Sequence, residues 1–288
     1  MAVVVLTDST ACLPAAMAEQ AGVAVLPLHV LVGRRTYAEG VDIDASEVAA
    51  LLRRGKEKVG TSRPAPGEFV QRYRELVELT GCEAILSMHL SGRISGTVEA
   101  AQLAAAAVRE EVAVEVVDSR VLGMAMGYAA CSAAEAAAAG ASVQDVAQVA
   151  RERAAASQTW FYLDSLEHLR RGGRVGTAAA IFGSALAIKP LLTLADGQVE
   201  MLEKVRTRTK ALARLEQRCL HAVAEGSGPV DVAVHHLGWA ERAEQMRERL
   251  RLELPAECDV DLVELGAVTG VHSGPGTLAV VVSPRPVR

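Results

Sequence analysis

Short runs of consecutive apolar residues alternate along this chain with longer stretches of helical apolar spacing. The short runs fall at residues 3–6, 23–32, 84–88, 112–117, 160–163, 188–194, 199–202, 230–235, 259–264 and 278–282. Bounded apolar runs of this length read as strands, with both faces covered in a parallel sheet. The stretches at 66–79, 95–108, 122–139, 207–224 and 239–251 read as amphipathic helices. Strands alternating with helices predict a parallel sheet with crossover helices. The second half reads differently: Ala195-Asp196-Gly197 separates two apolar runs and predicts a hairpin, hence antiparallel pairing. A long helical stretch, 121–156, is interrupted at Gly140-Ala141-Ser142, where Ser142 and Asp145 supply an N-cap and a first-turn acid.

The pattern gives an α/β chain of two α/β domains, 1–155 and 156–288. The first has a mainly parallel sheet and the second a mixed one, with a ligand in the interdomain cleft. A length of 288 residues suits two domains. Half the residues are hydrophobic but only 3% are aromatic, so the cores must be packed with Ala, Val and Leu. The net charge of −5 and the lack of a basic, aromatic-interleaved stripe exclude nucleic acid as the main partner. The five cysteines form no CxxC pair, and the histidines show no HxxxH or HExxH spacing, so no metal, cofactor or disulfide framework is expected. No segment approaches the roughly 18 to 20 apolar residues of a membrane span. The reading is a soluble, cytoplasmic protein with at most transient membrane contact.

Candidate chemistry gathers at strand-to-helix corners, where free backbone N–H groups and a positive dipole end favour an anion. Thr7-Asp8-Ser9-Thr10 follows the first strand, either as a ligand loop or as a turn in which Asp8 and Ser9 serve the backbone. In Thr61-Ser62-Arg63-Pro64, the hydroxyls of Thr61 and Ser62 either cap the next helix or donate to a carboxylate. Ser95-Gly96-Thr97 offers two hydroxyls around a glycine that lets backbone approach a ligand, but it is not a Walker loop. Arg170, Arg171 and Arg174 flank Gly172, a natural helix C-cap; they either complement a helix end or meet an anion. Arg206 sits in the basic run 204–210 at a helix start, where cations are electrostatically unfavourable. His272 lies in a Gly-rich segment before the last strand and is placed in a loop facing a cleft.

Thr7-Asp8-Ser9, Thr61-Ser62-Arg63-Pro64, Ile94-Ser95-Gly96-Thr97, Val117-Asp118-Ser119, residues 166–174, residues 188–192, Val205-Arg206 and residues 272–276 occur in order along the whole chain. Together they resemble the DegV family of fatty-acid-binding proteins. The resemblance implies two α/β domains clasping one long-chain fatty acid, the only bound group expected. Its carboxylate would be held by Thr61, Ser62, Ser95, Gly96 and Thr97, with His272 close by. The acyl tail would enter the second domain along 178–186, a segment apolar on nearly every side, with Ile181, Phe182 and Leu186 as wall. Some members of the family, called FakB, carry the acid for an ATP-binding fatty acid kinase subunit that forms the acyl phosphate. This chain has no phosphate loop of its own, which fits a carrier and not an enzyme. By the same analogy Arg170, Arg174 and Arg206 would face the portal or the partner. One departure is Arg63, where the family often has a neutral Gln. Two other readings compete: an acyl hydrolase or transferase using Ser95 with His272, although no Gly-x-Ser-x-Gly elbow is present, and a lipid sensor or transporter without phosphorylation.

Overall fold

The computed structural model describes residues 2–176, 189–226 and 228–286. The first half contains strands β1 Val3–Asp8, β2 Val23–Leu26, β3 His29–Val32, β4 Arg35–Ala38, β5 Val59–Ser62, β6 Ala84–His89 and β7 Ala113–Asp118. Its helices are α1 Ala15–Ala21, α2 Ala45–Arg54, α3 Pro66–Thr80, α4 Thr97–Ala107, α5 Met124–Ala138 and α6 Val143–Ala156. The four strands β2-β1-β6-β7 form an all-parallel sheet in that order. The three strands β4-β3-β5 form a small antiparallel sheet beside it.

That small sheet corrects the sequence reading. The apolar run 23–32 is not one strand: Pro27 lacks the N–H needed to continue a ladder, and the chain changes sheets there, from β2 to β3. Strands β4 and β5, Arg-Thr-Tyr-Ala and Val-Gly-Thr-Ser, have no apolar alternation to announce them. Helix α2 is likewise absent from the sequence reading, although Asp44 and Glu47 form a capping box at its start.

The second half supplies β8 Gln158–Tyr162, β9 Lys189–Ala195, β10 Gln198–Val205, β11 Val230–Leu237, β12 Val260–Glu264 and β13 Thr277–Pro284. It also carries α7 Glu167–Gly172, α8 Arg208–Glu225, α9 Ala240–Glu253 and α10 Ala267–Ser273. Its strands run β10-β9-β8-β13-β11-β12, antiparallel throughout except for the parallel pair β11 and β12. The expected hairpin is the β9–β10 turn, with Asp196 and Gly197 at φ 45° and 77°. The helical stretch before it divides into α5 and α6, with Ser142 Oγ accepting from Asp145 N–H.

One hydrophobic layer fills the space between α3, α4 and the parallel sheet, with Phe69, Tyr73 and Ile85 fully buried. The opposite face is covered by α5 and α6, and this core runs without a break into the second half through Ala233, Leu237, Val263 and Val281. Alanines at 129, 130, 133, 147 and 150 let these helices lie close to both sheets. Polar ties join the halves where apolar contact alone would leave donors stranded. Tyr128 Oη donates to Asp261 (2.6 Å), and Arg153, only 5% exposed, pairs with Asp231. At the start of α5, Met124 N–H donates to Nε2 of His235 on β11 at 3.0 Å.

A buried row of hydrogen bonds sets the ends of β1 and β6. Tyr73 Oη meets Ser87 Oγ (2.9 Å), Ser87 meets His89 Nε2 (2.7 Å), and His89 Nδ1 meets Asp8 Oδ2 (3.0 Å). Asp8 also accepts from the N–H groups of Thr10 and Leu90. The Thr7–Thr10 segment therefore works first as a backbone turn.

His235 is 1% exposed, and burial, followed by the charge of His236, pushes its pKa down to about 4. An unfolded histidine titrates near 6.5, so between those values the unfolded state binds more protons and stability falls as the pH drops. His235 should contribute a loss on the order of 3 kcal/mol on going from pH 7 to pH 4. Urea melts across that range should show a flatter profile for His235→Asn than for the parent protein; identical slopes would remove His235 as the cause.

Candidate functional site

Between the mixed sheet and the first half lies a cavity of about 340 Å³. Its floor is one face of the mixed sheet: Thr159 and Phe161 alternate on β8, and Thr277, Ala279 and Val281 alternate on β13. Along β13, the four steps from Thr277 to Val281 span about 13 Å. His235 faces the cavity, while its neighbour His236, on the opposite side of the strand, does not line it. The far wall brings together Thr10, Leu28, Thr61, Ser62, Leu90, Ser95 and Gly96 from the first half. Helix α10 adds Val268, Thr269, His272 and Ser273.

Three expectations about local structure need correction here. Thr61 and Ser62 cap no helix: α3 begins at Pro66 with Ala65 at its N-cap, and Thr61 and Ser62 are the last residues of β5. His272 is not in a loop but in the last turn of α10, because Gly266 and Gly274 bracket a short helix. The C-cap of α7 is Gly173 at φ 71°, one residue beyond the glycine expected. Gly172 has another use: a Cβ there would run into His272 Nδ1.

Thr61 Oγ1 and His272 Nε2 are 2.8 Å apart. Burial, then the nearby charge of Arg174, pushes the His272 pKa down to about 4, so the ring is neutral at pH 7. Among the described residues, the buried Nδ1 has no hydrogen-bond partner. A stranded lone pair costs less than a stranded N–H, which favours the proton on Nε2. His272 then donates to Thr61 Oγ1 and leaves the Thr61 hydroxyl free to donate into the cavity.

Ser95 stands at the start of α4. Its Oγ lies 2.8 Å from Thr97 Oγ1 and accepts weakly from Thr97 N–H at 3.3 Å. Thr97 itself is fully buried and does not line the cavity; it sits behind Ser95 and orients it. Gly96 lies under the Arg63 guanidinium, and a Cβ there would collide with Arg63 Nη1. Arg63 also approaches Glu99 at 3.5 Å, an exposed pair of small energetic weight.

Like Arg63, Arg174 is a cation lining the site. Its Nε donates to Ile94 O at 3.1 Å and its Nη1 to Gly172 O, so two carbonyls aim the guanidinium. It lines both the cavity and an adjoining polar cleft of about 410 Å³ that also includes Arg93, Ser95, Gly96 and Gln198. Arg170 does not join it: its guanidinium forks onto Glu167 at 2.7 and 2.8 Å. Arg206 is exposed and lines neither space. Ile181, Phe182 and Leu186 lie outside the described residues. Sequence reasoning had offered Thr10 as part of a ligand loop but missed Phe161, His235 and Val268 as wall residues, for which the adjacency of His235 and His236 was the one signal available. Among the described residues, no group of His, Cys, Asp and Glu could hold a metal ion, and no helix is long and apolar enough to cross a membrane.

A cavity with a mainly apolar floor, several hydroxyls and a neutral imidazole at its walls, and an arginine toward a polar cleft suits an amphiphile with an anionic head. The family model described as "Uncharacterised protein, DegV family" matches residues 2–285. The chain belongs to the DegV family. A DegV domain-containing protein of Streptomyces coelicolor is 47% identical over 284 residues, covering 98% of this chain and 99% of the relative. The fold is similar to a DegV family protein of Thermus thermophilus, described for its fatty acid binding, with a TM-score of 0.89, 33% identity and coverage of 99% and 100%. It is equally similar to DegV of Bacillus subtilis, described as a fatty acid binding protein, with a TM-score of 0.90, 33% identity and coverage of 98% and 99%.

Thr61→Val should leave the buried His272 Nε2–H without an acceptor and destabilise the protein by about 1–3 kcal/mol. Thr61→Ser should restore most of that loss. Chemical denaturation at pH 7 makes the comparison, and equal midpoints for the Val and Ser variants would show that the hydrogen bond contributes nothing.

Proposed function

We propose that this protein binds one long-chain fatty acid, with its carboxylate at Thr61, Ser62 and Ser95 and its acyl chain along the floor of the mixed sheet. The observation that carries this reading is the Thr61–His272 pair at the wall of a mainly apolar cavity. Each methylene taken out of water contributes roughly 0.8 kcal/mol, so a long tail supplies most of the affinity. The head must recover hydrogen bonds lost from water. Thr61 and Ser95 hydroxyls donate, and Arg174 supplies positive charge from the side of the polar cleft. Relatives described as fatty acid binding support the ligand class.

The finer reading is that the protein is a carrier that presents the carboxylate to a separate ATP-dependent kinase subunit. The polar cleft supports it, because Ser95, Gly96 and Arg174 border both spaces. An acid held there keeps one oxygen toward the cleft, where a partner's phosphoryl group could be attacked. Arg206, exposed beyond the cavity, is assigned to partner docking, and the tail wall at Ile181, Phe182 and Leu186 remains part of the same proposal. The Ser–His hydrolase reading draws no support from the geometry: the hydrogen-bond partner of His272 is Thr61, not Ser95. The row Ser87–His89–Asp8 has the order of a triad, but all three side chains are fully buried and none lines the cavity.

Ser95→Ala should weaken fatty acid binding by about 1.5–3 kcal/mol through loss of one hydrogen bond to a charged head, while the fold survives. Native mass spectrometry of the purified protein, then titration with palmitate and oleate, reads this directly; unchanged affinity in a folded variant would reduce Ser95 to a helix cap. Arg206→Ala should keep its lipid yet yield less acyl phosphate with the kinase subunit and ATP, because a rim charge acts mainly on association. Loss of lipid and acyl phosphate together would place Arg206 in the lipid site or the fold.

A further inference from the structure

Helix α10 carries His272, yet it lacks a cap of its own. Gly266 stands at its N-cap and has no side chain to offer the first-turn N–H groups. Those groups are served from the other half of the chain. Gly266 N–H points at Cys12 Sγ (3.5 Å), and Val268 N–H donates to Glu39 Oε1 at 2.8 Å. A Cβ at 266 would collide with Glu39 Oε1, so the missing cap and the foreign carboxylate fit each other.

Glu39 is 7% exposed and, among the described residues, has no cationic partner. Its second oxygen accepts from Ser9 Oγ, whose oxygen in turn accepts from Leu28 N–H at 2.9 Å. The backbone N–H of Glu39 donates to Leu28 O at 2.9 Å, which fixes it to the strand side of β3. On the other side of β3 runs β5, with Val30 opposite Thr61. The small sheet therefore grips α10 at two points. Glu39 holds Val268 at the start, and Thr61 holds His272 four residues on, one turn along the same helix face.

We propose that Glu39 is a positioning residue for ligand binding: it clamps the N-terminus of α10 to the small sheet and so holds His272 against Thr61 at the cavity wall. A carboxylate with no cation beside it is a poor choice for stability alone, since burial of the charge is uncompensated. It is a good choice for holding a helix start, whose N–H groups and dipole favour negative charge. The Glu39 side chain does not itself line the cavity; its effect travels through Val268, which does, and one helical turn. The proposal rests on the reading of Thr61 and His272 as headgroup residues.

The test compares Glu39→Ala, Glu39→Gln and Tyr128→Phe, the last removing an inter-half hydrogen bond far from α10 as a stability control. Palmitate affinity should fall about tenfold or more in Glu39→Ala, and stay within about threefold of the parent in Glu39→Gln, whose amide oxygen still accepts from Val268. Tyr128→Phe should leave affinity unchanged even if its melting temperature drops as far. In the apo protein, the His272 Cε1–H resonance should move in Glu39→Ala and keep its place in the other two. Unchanged affinity and an unmoved His272 signal in a folded Glu39→Ala would overturn the proposal. So would an equal loss of affinity in Glu39→Ala and Tyr128→Phe, which would mark a general effect of stability. Thr61→Val and Ser95→Ala, measured alongside, separate the two levels: if they too leave palmitate affinity intact, the headgroup reading fails; if they weaken it while Glu39→Ala does not, only the clamp fails.

Discussion

The hydrogen bond between Thr61 and His272 is the constraint around which the site is built. It joins the end of β5 to the last turn of α10, 211 residues apart in sequence. The ring's buried Nδ1, unpartnered among the described residues, suits a neutral imidazole, and burial beside Arg174 supplies that condition. The bond also demands a glycine at 172, since any Cβ there would occupy the ring's space. The small sheet β4-β3-β5 exists in the right place to carry Thr61, and the chain's change of sheets at Pro27 is what creates it. Each of these features is local, yet together they fix one wall of the cavity.

Polar groups at the junction of the two halves follow a common rule. His235 accepts the first N–H of α5, Tyr128 reaches Asp261, and Arg153 reaches Asp231. Each satisfies a donor that the packing of alanine-rich helices against the second sheet would otherwise strand. The apolar core is continuous across the junction, so these bonds specify alignment while the hydrophobic contact supplies adhesion. The cavity is the place along this junction where packing is left incomplete.

Charge is distributed with a similar division of labour. Most arginines are spent on exposed carboxylates, as with Arg170 on Glu167 and Arg249 on Glu216. Such pairs contribute little. Arg174 differs because carbonyl oxygens, not carboxylates, orient it. A guanidinium held that way keeps its full charge, which is the property an anionic head or phosphoryl group requires. Glu39 is its counterpart on the other side of α10: a carboxylate held by N–H and O–H donors.

Much of the architecture was legible in the sequence. Apolar runs located β1, β6, β8, β11 and β13, the Asp196-Gly197 turn announced the hairpin, and Ser142 marked the restart of the helix. Hydrophobic periodicity reports burial along a single segment, and these elements are buried along their length. Strands β4 and β5 escaped because a small edge sheet buries little, so its residues carry no alternation. The residue types at the site were also visible: Thr61, Ser95, Arg174 and His272 stand out as hydroxyl, guanidinium and imidazole near glycines. Their roles were not. Whether Thr61 caps a helix or ends a strand, whether His272 sits in a loop or a helix, and whether Thr97 faces the cavity or stands behind Ser95 depend on partners far away in sequence. Glu39 gave no sequence signal and His235 only its place beside His236, because a carboxylate and a histidine read alike when exposed or buried. Only the packing of the two halves removes them from water and assigns their hydrogen bonds, and that assignment turns ordinary polar residues into a site.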